Sequence, residues 1–299
     1  MLANPTHFAA NLTEWPLTWQ GAALDPFTPE FAGLRLTDKD SLHTLRSLIY
    51  TMNADTLTAD DIVDYTLIRQ MRSFWDRSTE LDTKYAVVDA ESMGTPESFE
   101  KAAAGETNWF VLNDKVFLDG RDPAEMSLLE VGCGHGRLLK HLAKRFREVH
   151  GADGSPMRFM EARFRFRDVP NVRITQTDGR SLRQYADNSF DRSFAHGVFV
   201  HIHSRTVIES YIREMARVTR QGGLVKFDIY HGKGYFGASP WFYGYGARFS
   251  EDDIKAVFVE AGVELVKIDY EMHVQYARGV DKEQSGLPLK QMLVTGRVL

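Results

Sequence analysis

Glycine recurs at alternate positions in Leu128-Leu-Glu-Val-Gly132-Cys-Gly134-His-Gly136-Arg137, where a short apolar run ends. That spacing lets a backbone turn tightly and approach a ligand without a Cβ in the way. It is not the G-x-G-x-x-G dinucleotide fingerprint, because the third glycine falls one residue early, and the G-x-x-x-x-G-K-[ST] phosphate loop is absent. Asp153, in Gly151-Ala-Asp153-Gly154-Ser155, lies 17 residues after Gly136, the length of one helix and one strand. An acid there can accept hydrogen bonds from both hydroxyls of a ribose, about 1.5–3 kcal/mol each for a charged acceptor. The same place also suits a turn or a helix cap. A third acid, Asp178, sits in Thr177-Asp178-Gly179-Arg180. Histidine is the side chain best suited to take a proton near neutral pH. His196, His201 and His203 follow one apolar run and His231 another. His201 is the first candidate base and His231 the second, although His201 also suits a helix cap or a packed site. His201-x-His203 has no carboxylate at a supporting spacing, so no metal is expected.

These residues need elements to hold them. Apolar runs of strand length cover 127–132, 148–153, 172–178, 189–197, 222–230, 263–270 and 291–299. Amphipathic segments at 136–146, 156–167, 204–220 and 250–262 read as helices, the last with Ser250 as N-cap, Asp253 completing a capping box and Gly262 after the end. Alternating strand and helix predict an α/β fold, a doubly wound, mostly parallel sheet of seven strands with an antiparallel last strand. The last two strands, with no helix between them, should pair antiparallel at one side. Ligands bind such sheets outside the carboxyl ends of the strands. Glu130, Gly132, Gly134, Asp153, Asp178 and His196 all fall at such ends or just past them.

Before residue 127 no strand is expected. Residues 1–37 are interrupted by Pro5, Pro16, Gly21, Pro26 and Pro29; Leu42, Leu45, Leu48 and Ile49 suggest a helix. A second helix, with Thr58 as N-cap, presents Ile62, Tyr65, Ile68, Met71 and Trp75. Short helices are expected at 96–104 and 108–118. The division is an N-terminal arm and helical cap over 1–120 and an α/β domain over 121–299. Residues 232–246 hold 5 Gly and 6 aromatics, and form an expected lid over about 231–247. Tyr235, Phe236, Trp241 and Tyr243 would meet an organic substrate. The same composition suits a packed loop or an oligomer contact.

The chain of 299 residues can bury a large core, and its single Cys leaves no internal disulfide framework. Residues 1–130 carry 10 Lys and Arg against 22 Asp and Glu, residues 131–192 carry 13 against 7, and the remainder 13 against 12. An acidic first part is a poor match for a nucleic-acid backbone, so no nucleic-acid partner is expected. With no long apolar run and no secretory leader visible, no membrane partner and a cytoplasmic location are expected.

The glycine loop, Asp153, the Asp178 turn, the Phe190–Ile202 segment and Gln221-Gly-Gly223 occur in the order of the motifs of class I S-adenosylmethionine-dependent methyltransferases, which the chain from about 125 onward resembles. Arg248 to Gly262 is similar to that family's late helix, and Phe74-Trp75 with Tyr85 resemble the aromatic lead-in of some small-molecule members. Gln221 stands where the family usually has Pro, which the turn does not require. The resemblance implies S-adenosylmethionine as cofactor and S-adenosylhomocysteine as product. It implies that Glu130, Gly132, Gly134, Gly136, Asp153, Gly154, Ser155, Asp178, Gly179 and His196 contact the cofactor, with Glu130 orienting the loop or the amino group and Asp178 meeting the adenine. Cys133 is the only Cys, so no thiol nucleophile is expected, and an N-P-P-Y segment is missing. The expected reaction is O-methylation of a small metabolite with a histidine base. N- or C-methylation, a dehydrogenase on a related sheet and a cofactor-binding protein without turnover stay open.

Overall fold

The computed structural model describes residues 59–80, 96–232, 246–273 and 289–299. The predicted helix near Leu42, the cap at Thr58 and most of the aromatic segment lie outside them. The first helix is α1 (Ala59–Glu80). Next come α2 (Pro96–Thr107), which runs into a π-helical turn at Asn108–Leu112, and the single turn α3 (Lys115–Leu118). The predicted 108–118 helix is thus broken at Asn113. Asp114 caps α3 instead, accepting from Val116 and Phe117 N–H.

From Ser127 the order is β1 (Ser127–Val131), α4 (Leu139–Leu142), β2 (Glu148–Asp153), α5 (Pro156–Arg165), β3 (Val172–Gln176), β4 (Phe190–Ala195), α6 (Arg205–Val218) and β5 (Thr219–His231). Then follow β6 (Arg248–Phe249), α7 (Glu251–Ala261), β7 (Val263–His273) and β8 (Leu289–Val298). The sheet runs β3-β2-β1-β4-β5-β8-β7, with β6 paired to the end of β5. The first five strands are parallel, and β8 is antiparallel to both neighbours. The expected architecture is therefore observed. The last two strands pair as foreseen, with β8 inside the sheet and β7 outermost. The two-residue β6 is too short to leave a sequence signal.

Core packing follows the strand alternation. Leu129, Val131, Val225 and Phe227 face one layer with Ile208, Ile212 and Met215 of α6 and Phe258 of α7. Leu128, Phe194 and Leu224 face the other, with Phe110, Phe117, Leu139 and Leu142. The helix expected over 136–146 is α-helical only at Leu139–Leu142, because its hydrogen bonds alternate between i−3 and i−4 partners. α7 has the expected ends: Ser250 and Asp253 form a reciprocal capping box, and Gly262 closes it in the left-handed region at φ 66°.

Candidate cofactor and substrate cleft

The glycine loop leaves β1 under tight constraint. Gly132 has φ 73°, and a Cβ there would stand 2.4 Å from Val198. Gly136 has φ 85°, and its Cβ would stand 2.2 Å from the Phe166 ring. Asp153, ending the neighbouring strand, ties the loop down: Oδ2 accepts from the Gly134 N–H at 2.7 Å and Oδ1 from the Ser155 N–H at 2.8 Å. Two residues singled out in the sequence thus form one hydrogen-bonded unit, and the carboxylate keeps acceptor capacity for further donors. Burial pushes the Asp153 carboxyl up, while these N–H groups and Arg158 pull it back. Glu130, 3% exposed, lies on the floor with Oε2 buried and without a hydrogen-bond partner. Burial lifts its pKa to about 8 against the pull of Arg137 and His196.

The roof is α1. Its Asp76 accepts from Ser155 Oγ at 2.5 Å and from Met157 N–H at 3.2 Å, at the start of α5. Twelve residues earlier Asp64 accepts from Ser204 Oγ and Thr206 Oγ1, at the start of α6. Each acid meets the positive end of a helix dipole. Between these anchors Met71, Arg72 and Trp75 face the cleft. The Arg158 guanidinium lies 4.8 Å over the Trp75 ring, which in turn meets His201 edge-on at 5.4 Å. The cleft holds a cavity of about 110 Å³.

The histidines separate by environment. His196 Nδ1 lies 3.2 Å from Asp228 and Nε2 3.4 Å from Glu106, and its ring stacks on Phe110 at 4.3 Å. Burial works against its charge, but the two carboxylates outweigh it and raise its pKa to about 9. Glu106 also holds Arg137 at 2.5 Å. Burial works to raise Glu106, yet His196 and Arg137 keep it below the usual carboxylate range. His201 lines the cleft, and burial, with His203 and Arg158 acting the same way, lowers its pKa to about 4 despite Asp228. His231 stands apart from the cleft lining, edge-on to Tyr270 at 5.5 Å.

The cleft gathers Glu130, Gly132, Gly134, Asp153, Gly154, Ser155, Gly179, His196 and His201. Gly136 supports the loop from behind. Asp178 turns elsewhere: Oδ1 accepts from the Arg180 and Ser181 N–H groups and Oδ2 from Ser181 Oγ, which leaves Gly179 to face the cleft. Tyr235, Phe236, Trp241 and Tyr243 lie outside the described residues. Sequence reading missed Glu106, Asp228, Arg158 and Arg72. The first two are recognisable only through the imidazole they flank. Arg158, on the amphipathic segment 156–167, is 4% exposed.

The sheet order, mostly parallel with β8 antiparallel to both neighbours, is the Rossmann-like architecture that the motif order implied. Residues 128–223 match the family model described as a methyltransferase domain, spanning β1 to the start of β5. No curated protein matches the chain. Among solved structures, the [4+2]-cyclase SpnF aligns over 78% of this chain and 97% of its own at 17% identity and a TM-score of 0.55. The YcgJ protein from Bacillus subtilis aligns over 66% and 98% at 17% identity and a TM-score of 0.47. A protein from Methanosarcina mazei described as a SAM-dependent methyltransferase aligns over 58% and 93% at 15% identity and a TM-score of 0.46. A methyltransferase domain implies S-adenosylmethionine as the methyl donor. Among the described residues no helix is long and apolar enough to cross a membrane.

Proposed function

We propose that this chain transfers a methyl group from S-adenosylmethionine to a small organic acceptor in the cleft beneath α1. The observation that carries the reading is the floor of the cleft, where the buried, unpartnered Glu130 Oε2 stands beside a glycine loop bridged to Asp153. Such a floor fits a ligand bearing both an ammonium and a ribose. Glu130 would hold the amino group, the Gly132–Gly134 backbone would lie along the amino-acid part, and Asp153 would take the ribose hydroxyls. Gly154, Ser155, Gly179 and Arg158 would line the remainder. The bound cofactor supplies an activated methyl electrophile. The protein's share is alignment and exclusion of water, and alignment alone is worth on the order of 7–11 kcal/mol when tight. Met71, Arg72 and Trp75 provide the exclusion from above.

For an oxygen acceptor, His201 is the base this reading favours. Among the candidate histidines it is the one in the cleft that is neutral and able to accept at pH 7, whereas His196 is held charged by two carboxylates. Its depressed basicity suits an acceptor with an acidic proton, because proton transfer is most effective when the two pKa values are close. A neutral amine acceptor needs less of this base.

Calorimetric titration with S-adenosylmethionine and S-adenosylhomocysteine tests the site. Asp153→Ala should weaken binding by about tenfold to a few hundredfold, the loss of one or two charged hydrogen bonds. Unchanged affinity would remove Asp153 from the site. The weak base also favours a second reading, a cofactor-bearing protein that moves no methyl group. Tight binding with no methylated product from any acceptor library would select it.

A further inference from the structure

Glu130 closes β1 at the deepest point of the cleft. Its Oε2 is buried and accepts no hydrogen bond from the protein, so an ionised carboxylate there lacks a protein donor on that oxygen. The charged groups facing it come from four places: Arg137 behind the glycine loop, His196 after β4, Asp153 at the end of β2 and Glu106 on α2. The cations are engaged elsewhere. Arg137 is held by Glu106, and His196 lies between Glu106 and Asp228. Asp153 and Glu106 add negative charge that opposes ionisation of Glu130. Burial of an acid without a counter-charge favours its protonated form.

We propose that Glu130 is protonated in the empty cleft and surrenders that proton to solvent when a cationic ammonium group of the ligand docks on it, so that binding releases a proton. The inference rests on reading this cleft as the cofactor site and adds the charge state in which the site waits. In balance, a carboxylic acid and an ammonium become a carboxylate–ammonium pair and one hydrated proton. No bond to carbon changes. The pKa of about 8 for Glu130 agrees with the geometry. Linkage then requires release of about 0.9 proton at pH 7 and affinity that rises about tenfold from pH 6 to pH 7.

The test is calorimetric titration of the full chain with S-adenosylhomocysteine at pH 7, in phosphate and in Tris, whose ionisation enthalpies differ. The dependence of heat on buffer counts the protons released. Binding with close to one proton released by the parent and almost none by Glu130→Gln, whose affinity stays flat between pH 6 and 7, supports the proposal. Binding with the same heat in both buffers overturns it and leaves the cofactor site standing. Release that persists in Glu130→Gln places the proton on another group and also overturns it. Should that variant fail to fold, the parent's affinity against pH decides, and a flat line is fatal. Failure of the parent to bind either S-adenosylhomocysteine or S-adenosylmethionine defeats the reading of the cleft itself.

Discussion

A methyl group on residue 136 has nowhere to go. It would stand 2.2 Å from the Phe166 ring, on a backbone at φ 85° that side chains rarely adopt. Gly136→Ala should therefore destabilise the fold by about 1–3 kcal/mol, since strain and overpacking act together. Thermal denaturation reads this as a fall of about 2–4 °C per kcal/mol in a domain of this size. An unchanged melting temperature would mean that Phe166 moves aside at no cost. The tight turn of the glycine loop was legible from the sequence because its geometry is local: spacing, a strand end and a following helix. The turn role of Asp178 was not legible for a related reason. A short acid after a strand serves equally well as a turn acceptor, and here the Arg180 and Ser181 N–H groups claim it. The state of each histidine was not legible either. His196 and His201 stand five residues apart in one segment, yet one is driven to about 9 and the other to about 4. The difference comes from Glu106 and Asp228, which lie far away in the chain.

At the scale of elements, α1 is held by two acids as well as by Ile68 in the core. Asp64 accepts from the side chains that open α6, and Asp76 from those that open α5. Removing one such charged acceptor costs about 1–3 kcal/mol. Asp64→Ala or Asp76→Ala should accelerate amide exchange across α1 by about tenfold to a hundredfold while the sheet keeps its protection. Cofactor affinity should fall as well, because Met71, Arg72 and Trp75 form the roof. Unaltered exchange in α1 would show that apolar contacts alone hold it. The strands and α7 were readable because periodicity and caps lie within each segment. The docking of α1 was not, because its hydrogen bonds join residues 79 to 142 positions apart. The shortness of α4 was hidden too: Leu138, Leu139, Leu142 and Phe146 are all buried, so the apolar pattern persists where the hydrogen bonding departs from α.

For the whole molecule, the buried titratable groups set a pH window. His196 has a folded pKa of about 9, above the ordinary 6.5 of an imidazole. Its stabilising contribution is complete below pH 6.5 and is lost as pH rises through 9. Glu130, at about 8 against the ordinary 4.5 of a glutamic acid, acts in the same direction from lower pH. His201, lowered to about 4, acts oppositely, since the unfolded chain takes up its proton as pH falls below 6.5. The ligand-free protein should therefore lose melting temperature between pH 6.5 and 9, and His196→Gln should flatten that slope while lowering the value at pH 6.5. A parent curve flat over this range would contradict the charged state assigned to His196. The architecture as a whole was legible because alternating strands and helices permit few arrangements. The charge pattern around the cleft emerges only once α2, β4 and β5 have come together.

The position of β8 has a consequence for assembly. Residues 289–298 fill the slot between β5 and β7, pairing with both. Until they have been translated, both facing edges remain raw, and the nascent chain presents two unsatisfied rows of backbone groups to anything nearby. Closure of the sheet is then a late event, a zip drawn through a gap already waiting. A released chain lacking residues 289–298 would display a species prone to capture by chaperones, even with the glycine loop and its aspartate in place.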